Sequence, residues 1–202
     1  YTGDLKIINY NDDKDIIFQS DDGSGGVATY LTIDGSDVVS LFSKSSRHID
    51  NVKAMFGNSN DLSIFHDATD SRIQNAVGDL YITNTADDKD VILRSDDGSG
   101  GVETYFFLDG SGNSGNNPRT VFPDNSSIVV GTGNDLFIKH TGTNSEIFNF
   151  TGDLIIGNHG NDKDIIFQCD DGSGGVTTYF QIEGDTEQTK FSKTVKLTDS
   201  VE

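Results

Sequence analysis

The sequence has 202 residues, of which 33% are hydrophobic and none is tryptophan, and its formal charge is −19. Repulsion between like charges opposes the collapse of a lone chain, and so small an apolar fraction gives it little core to bury. We therefore expect the chain to associate with further chains. Its acidity also excludes nucleic acid and anionic lipid as partners, which leaves proteins, sugars and cations.

Cysteine usage and hydropathy exclude further classes. The lone cysteine, Cys169, stands where the equivalent positions carry Ser20 and Ser95, so neither a disulfide framework nor a cysteine nucleophile is expected. No apolar run approaches the ~18 residues of a membrane span, and no signal peptide is recognisable. Low hydrophobicity with high charge is also typical of disorder, but the apolar residues alternate with polar ones, which favours strands.

The dominant feature of the sequence is a long internal repeat. The segment DDKDIIFQSDDGSGGVATY at 12–30 recurs in close variants at 87–105 and 161–179, with successive offsets of 75 and 74 residues. A second phrase, NDLxIxH, occurs at 60–66 and 134–140, and GDL begins at Gly3, Gly78 and Gly152. Such a period predicts stacked supersecondary units. The chain divides into a partial repeat 1–56, a full repeat 57–130 and a nearly full repeat 131–202, which we expect to be a piece of a longer repetitive protein.

The predicted elements are mostly strands. Alternating residues at 16–20 and 27–33 flank the glycine-rich segment 21–26, which predicts a β-hairpin, and the same hairpin recurs at 91–108 and 165–182. The best helix candidate is 46–56. The connector 109–117 of the middle copy is a loop by composition, and Pro118 and Pro123 lie in the same variable region.

Strand alternation around a shared turn also predicts burial. One face of each hairpin should point inward, and the turn should point to solvent. We expect the equivalent apolar residues to be buried, namely Phe18, Leu93, Phe167, Val27, Val102 and Val176, and the equivalent turn residues to be exposed, namely Asp22, Asp97 and Asp171.

The acidic glycine-rich turns are the first candidates for chemistry. Flexible turns rich in carboxylates suit calcium, so the turns beginning at Asp21, Asp96 and Asp170 are weak candidates for that cation. Their spacing, however, matches neither an EF-hand loop nor tandem calcium-binding nonapeptides. A solvated hairpin turn is the preferred interpretation. The same segments form no phosphate cradle, because no Lys-Ser or Lys-Thr follows and no helix begins there.

Other polar clusters carry no catalytic prediction. The DDKD runs at 12–15 and 87–90, with NDKD at 161–164, could be acid–base pairs, but neighbours on a strand point to opposite faces, so solvated turns are expected. His66 and His140 are equivalent, and in a threefold assembly either would form a ring of three imidazoles suited to a transition metal. Hydrogen-bonding positions are the preferred interpretation. We predict no catalytic, cofactor-binding or metal-binding residue, and no enzyme activity.

The repeat phrases resemble those of the repetitive fibre and structural proteins of tailed bacteriophages, particularly marine and cyanobacterial phages. The phrases that carry the resemblance are NDLxIxH at 134–140, GxNSxI at 142–147, GDL at 152–154, TVFPDNS at 120–126 and the DDGSGG hairpins. They cover nearly the whole chain. The chain departs from the pattern at Thr141, where an Asp is usual, and at the connector 47–50, which is expected to match no other copy.

The resemblance implies trimeric, β-rich fibres on the virion that contribute to host recognition. We therefore expect an all-β, elongated, repeat-built fibrous fold, with hairpin units of three chains intertwined or packed as a homotrimer. The expected function is non-catalytic, as shaft or adhesive segment of a phage tail fibre that contacts other virion proteins and a host surface glycan or protein. The alternatives are a calcium-dependent bacterial surface or secreted repeat protein and the non-catalytic part of a glycan-degrading tailspike.

Overall fold

The computed structural model describes residues 3–112 and 117–196, and every regular element in these residues is a β-strand. The strands form five separate antiparallel sheets of three strands each. The all-β prediction is confirmed at this level. None of the described residues forms an apolar helix of membrane-spanning length.

We number the sheets 1 to 5 in chain order, and each sheet consists of three consecutive strands. Sheets 1, 3 and 5 contain the long hairpins, and their strands are β1 (Ile16–Asp21), β2 (Val27–Asp34) and β3 (Val39–Phe42); β7 (Val91–Asp96), β8 (Val102–Asp109) and β9 (Arg119–Val121); β13 (Ile165–Asp170), β14 (Val176–Glu183) and β15 (Gln188–Phe191). Sheets 2 and 4 have shorter strands, which are β4 (Ala54–Phe56), β5 (Leu62–His66) and β6 (Ser71–Asn75); β10 (Ser127–Val130), β11 (Leu136–His140) and β12 (Ser145–Asn149).

The chain divides into two compact units. The first, Tyr1–Ile82, contains sheets 1 and 2, and the second, Thr83–Glu202, contains sheets 3, 4 and 5. Residues 1–2, at the start of the first predicted repeat, and residues 197–202, at the end of the third, lie outside the described residues.

All three predicted hairpins are present, and each contains a β-bulge that strand alternation does not predict. In sheet 1, Phe18 pairs with Leu31 and Gln19 pairs with Thr29, so Tyr30 is the extra residue. The Tyr30 hydroxyl donates a hydrogen bond to the carbonyl oxygen of Asp21 at 3.0 Å, and the equivalent tyrosines, Tyr105 and Tyr179, make the same bond at 3.0 and 3.2 Å. The bulge thus places a tyrosine where it anchors the start of the acidic turn.

The helix predicted at 46–56 is wrong. Asn51 has a φ of 65°, and β4 occupies the end of the segment. A residue in the left-handed region cannot continue a right-handed helix, which explains the break.

The connector 47–50 shares only Asp50 with the middle copy, but the backbone that follows it recurs one period later. Asn51 donates its N–H to the His66 carbonyl at 2.8 Å, and Asn125 does the same to His140 at 2.7 Å. Both asparagines have nearly equal positive φ angles, 65° and 66°. The pair Asp50-Asn51 is therefore the counterpart of Asp124-Asn125, one period later.

The loop predicted at 109–117 is described only in part. Asp109 ends β8, and residues 110–112 form a bend. Residues 113–116 lie outside the described residues.

The predicted burial of the hairpin residues is wrong for the single chain. The exposed fractions are large for the whole set: Phe18 43%, Leu93 42%, Phe167 39%, Val27 69%, Val102 54% and Val176 70%. Among the described residues no hydrophobic side chain is buried, and only Ser63 is, with 6% of its surface exposed. Each sheet is a single layer, and a sheet buries a face only against a second layer. The turn aspartates are exposed, as predicted.

Candidate functional site

The acidic hairpin turns have the same geometry in all three copies. The Oδ1 atom of Asp22 accepts hydrogen bonds from the Ser24 N–H and hydroxyl, both at 2.8 Å, and from the Gly26 N–H at 3.0 Å. Asp97 and Asp171 accept the equivalent bonds at 2.7–3.1 Å. One carboxylate oxygen therefore organises the whole turn.

These donors also set the charge state of the turn. The Ser24 hydroxyl, followed by the N–H groups of Ser24 and Gly26, holds the pKa of Asp22 below its ordinary value. The equivalent donors lower the pKa of Asp97 and Asp171. The turn is thus a site where an ionised carboxylate is stabilised by its own chain.

The same geometry bears on calcium. A calcium ion needs six to eight oxygen ligands. In each turn the Oδ1 atom already accepts three hydrogen bonds, and the other carboxylate oxygen lies where a Cβ on Gly26, or on its equivalents Gly101 and Gly175, would be. Within residues 3–112 and 117–196, no group of three or more His, Cys, Asp or Glu side chains is placed to hold a metal ion. The hydrogen bonds within each turn are sufficient to explain its conformation.

The DDKD runs form turns, as predicted, and each turn packs against a second glycine turn. Asp15 accepts a hydrogen bond on Oδ1 from the Gly35 N–H at 3.1 Å, and Asp90 and Asp164 accept the equivalent bonds at 2.9 and 3.0 Å. The backbones approach so closely that a Cβ on Gly35 would lie 2.6 Å from the Lys14 carbonyl oxygen. Glycine is required at this contact for lack of space, a role that the sequence pattern alone does not predict.

A small asparagine also braces each of these turns. The side-chain amide of Asn9 donates to the Asp15 carbonyl at 2.9 Å, and the Asn9 side-chain oxygen accepts from the Asn11 N–H at 3.1 Å. Asn84 and Asn158 make the same pair of bonds. These residues end the repeated Gly-Asp-Leu lines, and their spacing from the DDKD run was the signal that could have identified them.

The two equivalent histidines are hydrogen-bonding residues, which confirms the preferred interpretation. The Nδ1 atom of His66 lies 3.1 Å from the Ser71 hydroxyl, and that of His140 lies 3.1 Å from the Ser145 hydroxyl. Each bond joins neighbouring strands of one sheet. Asp67 and Thr141, which follow the histidines, both cap the next turn, because each accepts the N–H of the residue three positions later, Asp70 or Asn144. The departure at Thr141 therefore keeps the local structure.

The repeated Gly-Asp-Leu lines leave apolar side chains exposed. Residues 3–8, 78–83 and 152–157 contain no strand. Leu80, Tyr81 and Ile82 are 46%, 81% and 67% exposed, and Leu154, Ile155 and Ile156 are 49%, 85% and 62% exposed. In both lines the variable middle residue is the most exposed. The shared Leu and Ile of these two lines are less exposed than the middle residue, but in the first line the shared Leu5 is 90% exposed.

Open grooves lie on the second unit, and two are lined entirely by residues that the structure describes. One, of about 620 Å³, lies between the acidic turn and the loop before β10, and its lining includes Asp97, Glu103, Asp124 and Ser126. The Ser126 hydroxyl donates to the Tyr105 carbonyl at 2.6 Å beside it. The other groove, of about 410 Å³, has an apolar floor that includes Ile128, Ile138 and Ile147. These three isoleucines lie side by side on one exposed face of sheet 4.

Comparison with known proteins returns no relative. No protein-family model matches the chain, and neither a curated protein nor a solved structure matches it.

Proposed function

We propose that the chain is a structural and adhesive segment of a bacteriophage tail fibre, in which three copies associate about a common axis and the assembly contributes to host-cell attachment. The observation that carries the proposal is that the described residues form regular sheets and yet bury no hydrophobic side chain. A sheet is stabilised when its apolar face leaves water. A chain of this kind requires further chains to cover that surface.

The exposed area gives the magnitude of this requirement. The chain exposes 16961 Å². A folded monomer of its mass exposes about 9,300 Å². The excess is several times the ~1,200–2,000 Å² that a stable protein–protein interface buries in total. The surface is therefore sufficient for extensive contacts with more than one partner.

Several observations support a fibrous, non-catalytic role. The same hairpins, caps and turns recur with a period of 74–75 residues, which is typical of proteins built by stacking one unit. The carboxylates of the acidic turns are engaged by donors of their own turns, so their geometry serves structure. The trimer, the virion location and the host-surface partner rest on the resemblance to phage fibre proteins.

The mass of the protein in solution tests the assembly. Light scattering or sedimentation equilibrium should give three times the chain mass of 21.8 kDa. A well-folded monomer at micromolar concentration would contradict the proposal. Adhesion is tested separately with fluorescently labelled trimer and a panel of bacterial strains. We expect saturable binding to some strains, and retention by none would remove the adhesive part.

The same preparation distinguishes the two alternatives. A calcium-dependent surface protein would unfold when a chelator removes calcium, whatever the sodium chloride concentration. A tailspike would hydrolyse host polysaccharide when the full-length protein, with its catalytic part, is assayed. The turn geometry favours neither, because the turns hold together through hydrogen bonds within the chain.

A further inference from the structure

In four of the five sheets one face carries no Asp, Glu, Lys or Arg, and in sheet 3 the corresponding face carries one, Glu103, which pairs with Ser95 beside the acidic turn. In sheet 4 this face contains a row of three isoleucines, Ile128, Ile138 and Ile147, whose strands pair directly. Sheet 2 has the matching row of Ala54, Ile64 and Ile73. In sheets 1, 3 and 5 the rows outside the bulge and the acidic turn give the same result, with Phe18-Leu31-Phe42, Leu93-Phe106 and Phe167-Phe180-Phe191 on the uncharged face. We call these surfaces the uncharged faces.

The opposite face of each sheet carries ionised side chains. Examples are Asp34 in sheet 1, Arg72 in sheet 2, the pair Asp109 and Arg119 in sheet 3, Lys139 and Glu146 in sheet 4, and Glu183 and Lys190 in sheet 5. In a chain with a net charge of −19, four faces free of charge and a fifth with a single carboxylate are a consistent segregation rather than a consequence of low charge.

The charged faces also cover part of their own apolar surface. The Lys53 ammonium lies over the Phe65 ring at 4.3 Å from its centroid. Lys139 pairs with Glu146 at 3.5 Å, and Phe150 packs edge-on against Phe137 at 5.6 Å between centroids. Long charged side chains that lie over aromatic rings are suited to a solvent boundary. On the uncharged face of sheet 4, Ile128, Ile138 and Ile147 are 39%, 41% and 59% exposed.

We propose that the uncharged faces are the surface on which further copies of this chain pack, and that the charged faces form the outside of the assembly. This inference rests on the proposed function, because it assigns the contact surface of the same assembly. In the isoleucine rows, adjacent strands present branched side chains side by side, a form that packs well against an equal surface.

Charge and period identify the occupant as a second copy. Two chains of −19 repel each other, and association through the uncharged faces adds the least contact between like charges to that repulsion. The faces also recur with a period of 74–75 residues. A second copy in the same register presents matching faces at the same intervals along its length.

The test compares two neighbouring residues of one strand. Ile128 and Val129 are adjacent on β10, are 39% and 42% exposed, and point to opposite faces of sheet 4. In a Cys169→Ser background, we would label Ile128→Cys and Val129→Cys with a maleimide. The folded single chain gives the two thiols similar exposure. We therefore expect native labelling at 128 to be at least tenfold slower than at 129, and equal rates after denaturation.

A pair of charged variants tests the same assignment by association. Each trimer of Ile128→Asp would bring three carboxylates into the contact, so we expect its dissociation constant to rise at least a thousandfold. Val129→Asp should leave the trimer mass unchanged.

The outcomes separate the two proposals. A wild-type chain that stays monomeric would overturn the proposed self-association. The same holds if its uncharged faces bind only a different protein. A trimeric wild type in which 128 and 129 react equally, or in which Val129→Asp dissociates first, would overturn the face assignment and leave the trimer intact. The labelling rates of the Ile128→Cys and Val129→Cys variants test the face assignment even if the aspartate variants do not fold.

Discussion

The close contact at Gly184 allows the sharpest prediction about stability. Gly184 lies in the turn between β14 and β15, where its N–H donates to the Asp164 carboxylate at 3.0 Å. A Cβ at this position would lie 2.5 Å from the Lys163 carbonyl oxygen and 3.2 Å from the Lys163 nitrogen. These are backbone atoms, so the Gly184→Ala variant must displace one turn from the other. The φ angle at Gly184 is not positive, so the penalty is one of space alone.

The expected magnitude follows from two terms. Forcing one extra carbon into a filled contact costs about 1–3 kcal/mol. The separation also lengthens a hydrogen bond to a carboxylate, although solvent partly replaces this bond because Gly184 is exposed. We expect a loss of about 2 kcal/mol, which for a chain of this size lowers Tm by ~4–8 °C.

Gly157→Ala is the matched control in the same unit. There a Cβ would meet only the Nε2 atom at the tip of the His159 side chain, at 3.3 Å, and the tip can move aside. We expect an unchanged Tm, or a gain of up to ~1 kcal/mol from the lower entropy of the unfolded chain. Thermal unfolding of the assembled variants, followed by circular dichroism, measures both. Equal Tm values for the two variants would refute the steric argument.

Three further predictions concern the turns and their charges. Val38 is 86% exposed and has a φ of 56°, which strains a β-branched residue, so Val38→Asn should raise Tm by an amount equivalent to about 1 kcal/mol; an unchanged Tm would contradict the strain. Asp97→Asn keeps an acceptor oxygen but loses the charge. Because the donors of its turn, the Ser99 hydroxyl first, lower the pKa of Asp97, the stability it contributes is present above its ordinary pKa and is lost as pH falls below about 4. The Tm difference from wild type should therefore shrink in acid, whereas a constant difference would exclude the charge as its cause. Finally, magnesium or calcium should raise Tm in low sodium chloride and have little effect in high sodium chloride; an equal effect in both would favour a dedicated calcium site.

The sequence was sufficient for features that depend on local pattern. Alternation around the glycine-rich turns gave the three hairpins, because strand periodicity and turn chemistry act over a few residues. The hydrogen-bonding role of His66 followed from its isolation from other metal ligands. The DDKD turns were also predictable, because neighbouring residues of a strand point to opposite faces and the adjacent carboxylates cannot form an acid–base pair.

Features that depend on contact between segments were not predictable in this way. Tyr30 fits an alternating strand pattern, and only the pairing of its neighbours reveals the bulge. The prediction of a helix at 46–56 was wrong because the residue pattern of that segment does not reveal that Asn51 adopts a left-handed backbone conformation. Comparison of Asp50-Asn51 with Asp124-Asn125 would have corrected it. Burial of Phe18 was wrong because alternation assigns a side chain to a face but not a second layer to cover that face.

The acidity of the chain and its proposed association are compatible because the charges are placed apart from the contact surface. Asp22 and its equivalents are ionised at exposed turns, and the paired rows of the uncharged faces carry no Asp, Lys or Arg and, of the glutamates, only Glu103 in sheet 3. Physiological salt screens charges beyond ~8 Å, so exposed turns on different chains repel strongly only when they approach more closely than that. Packing through the uncharged faces directs the turns into solvent, where separation and screening act together. Packing through the charged faces would instead bring like charges of neighbouring chains within the unscreened distance, and the net charge of −19 therefore selects which face of each sheet is covered.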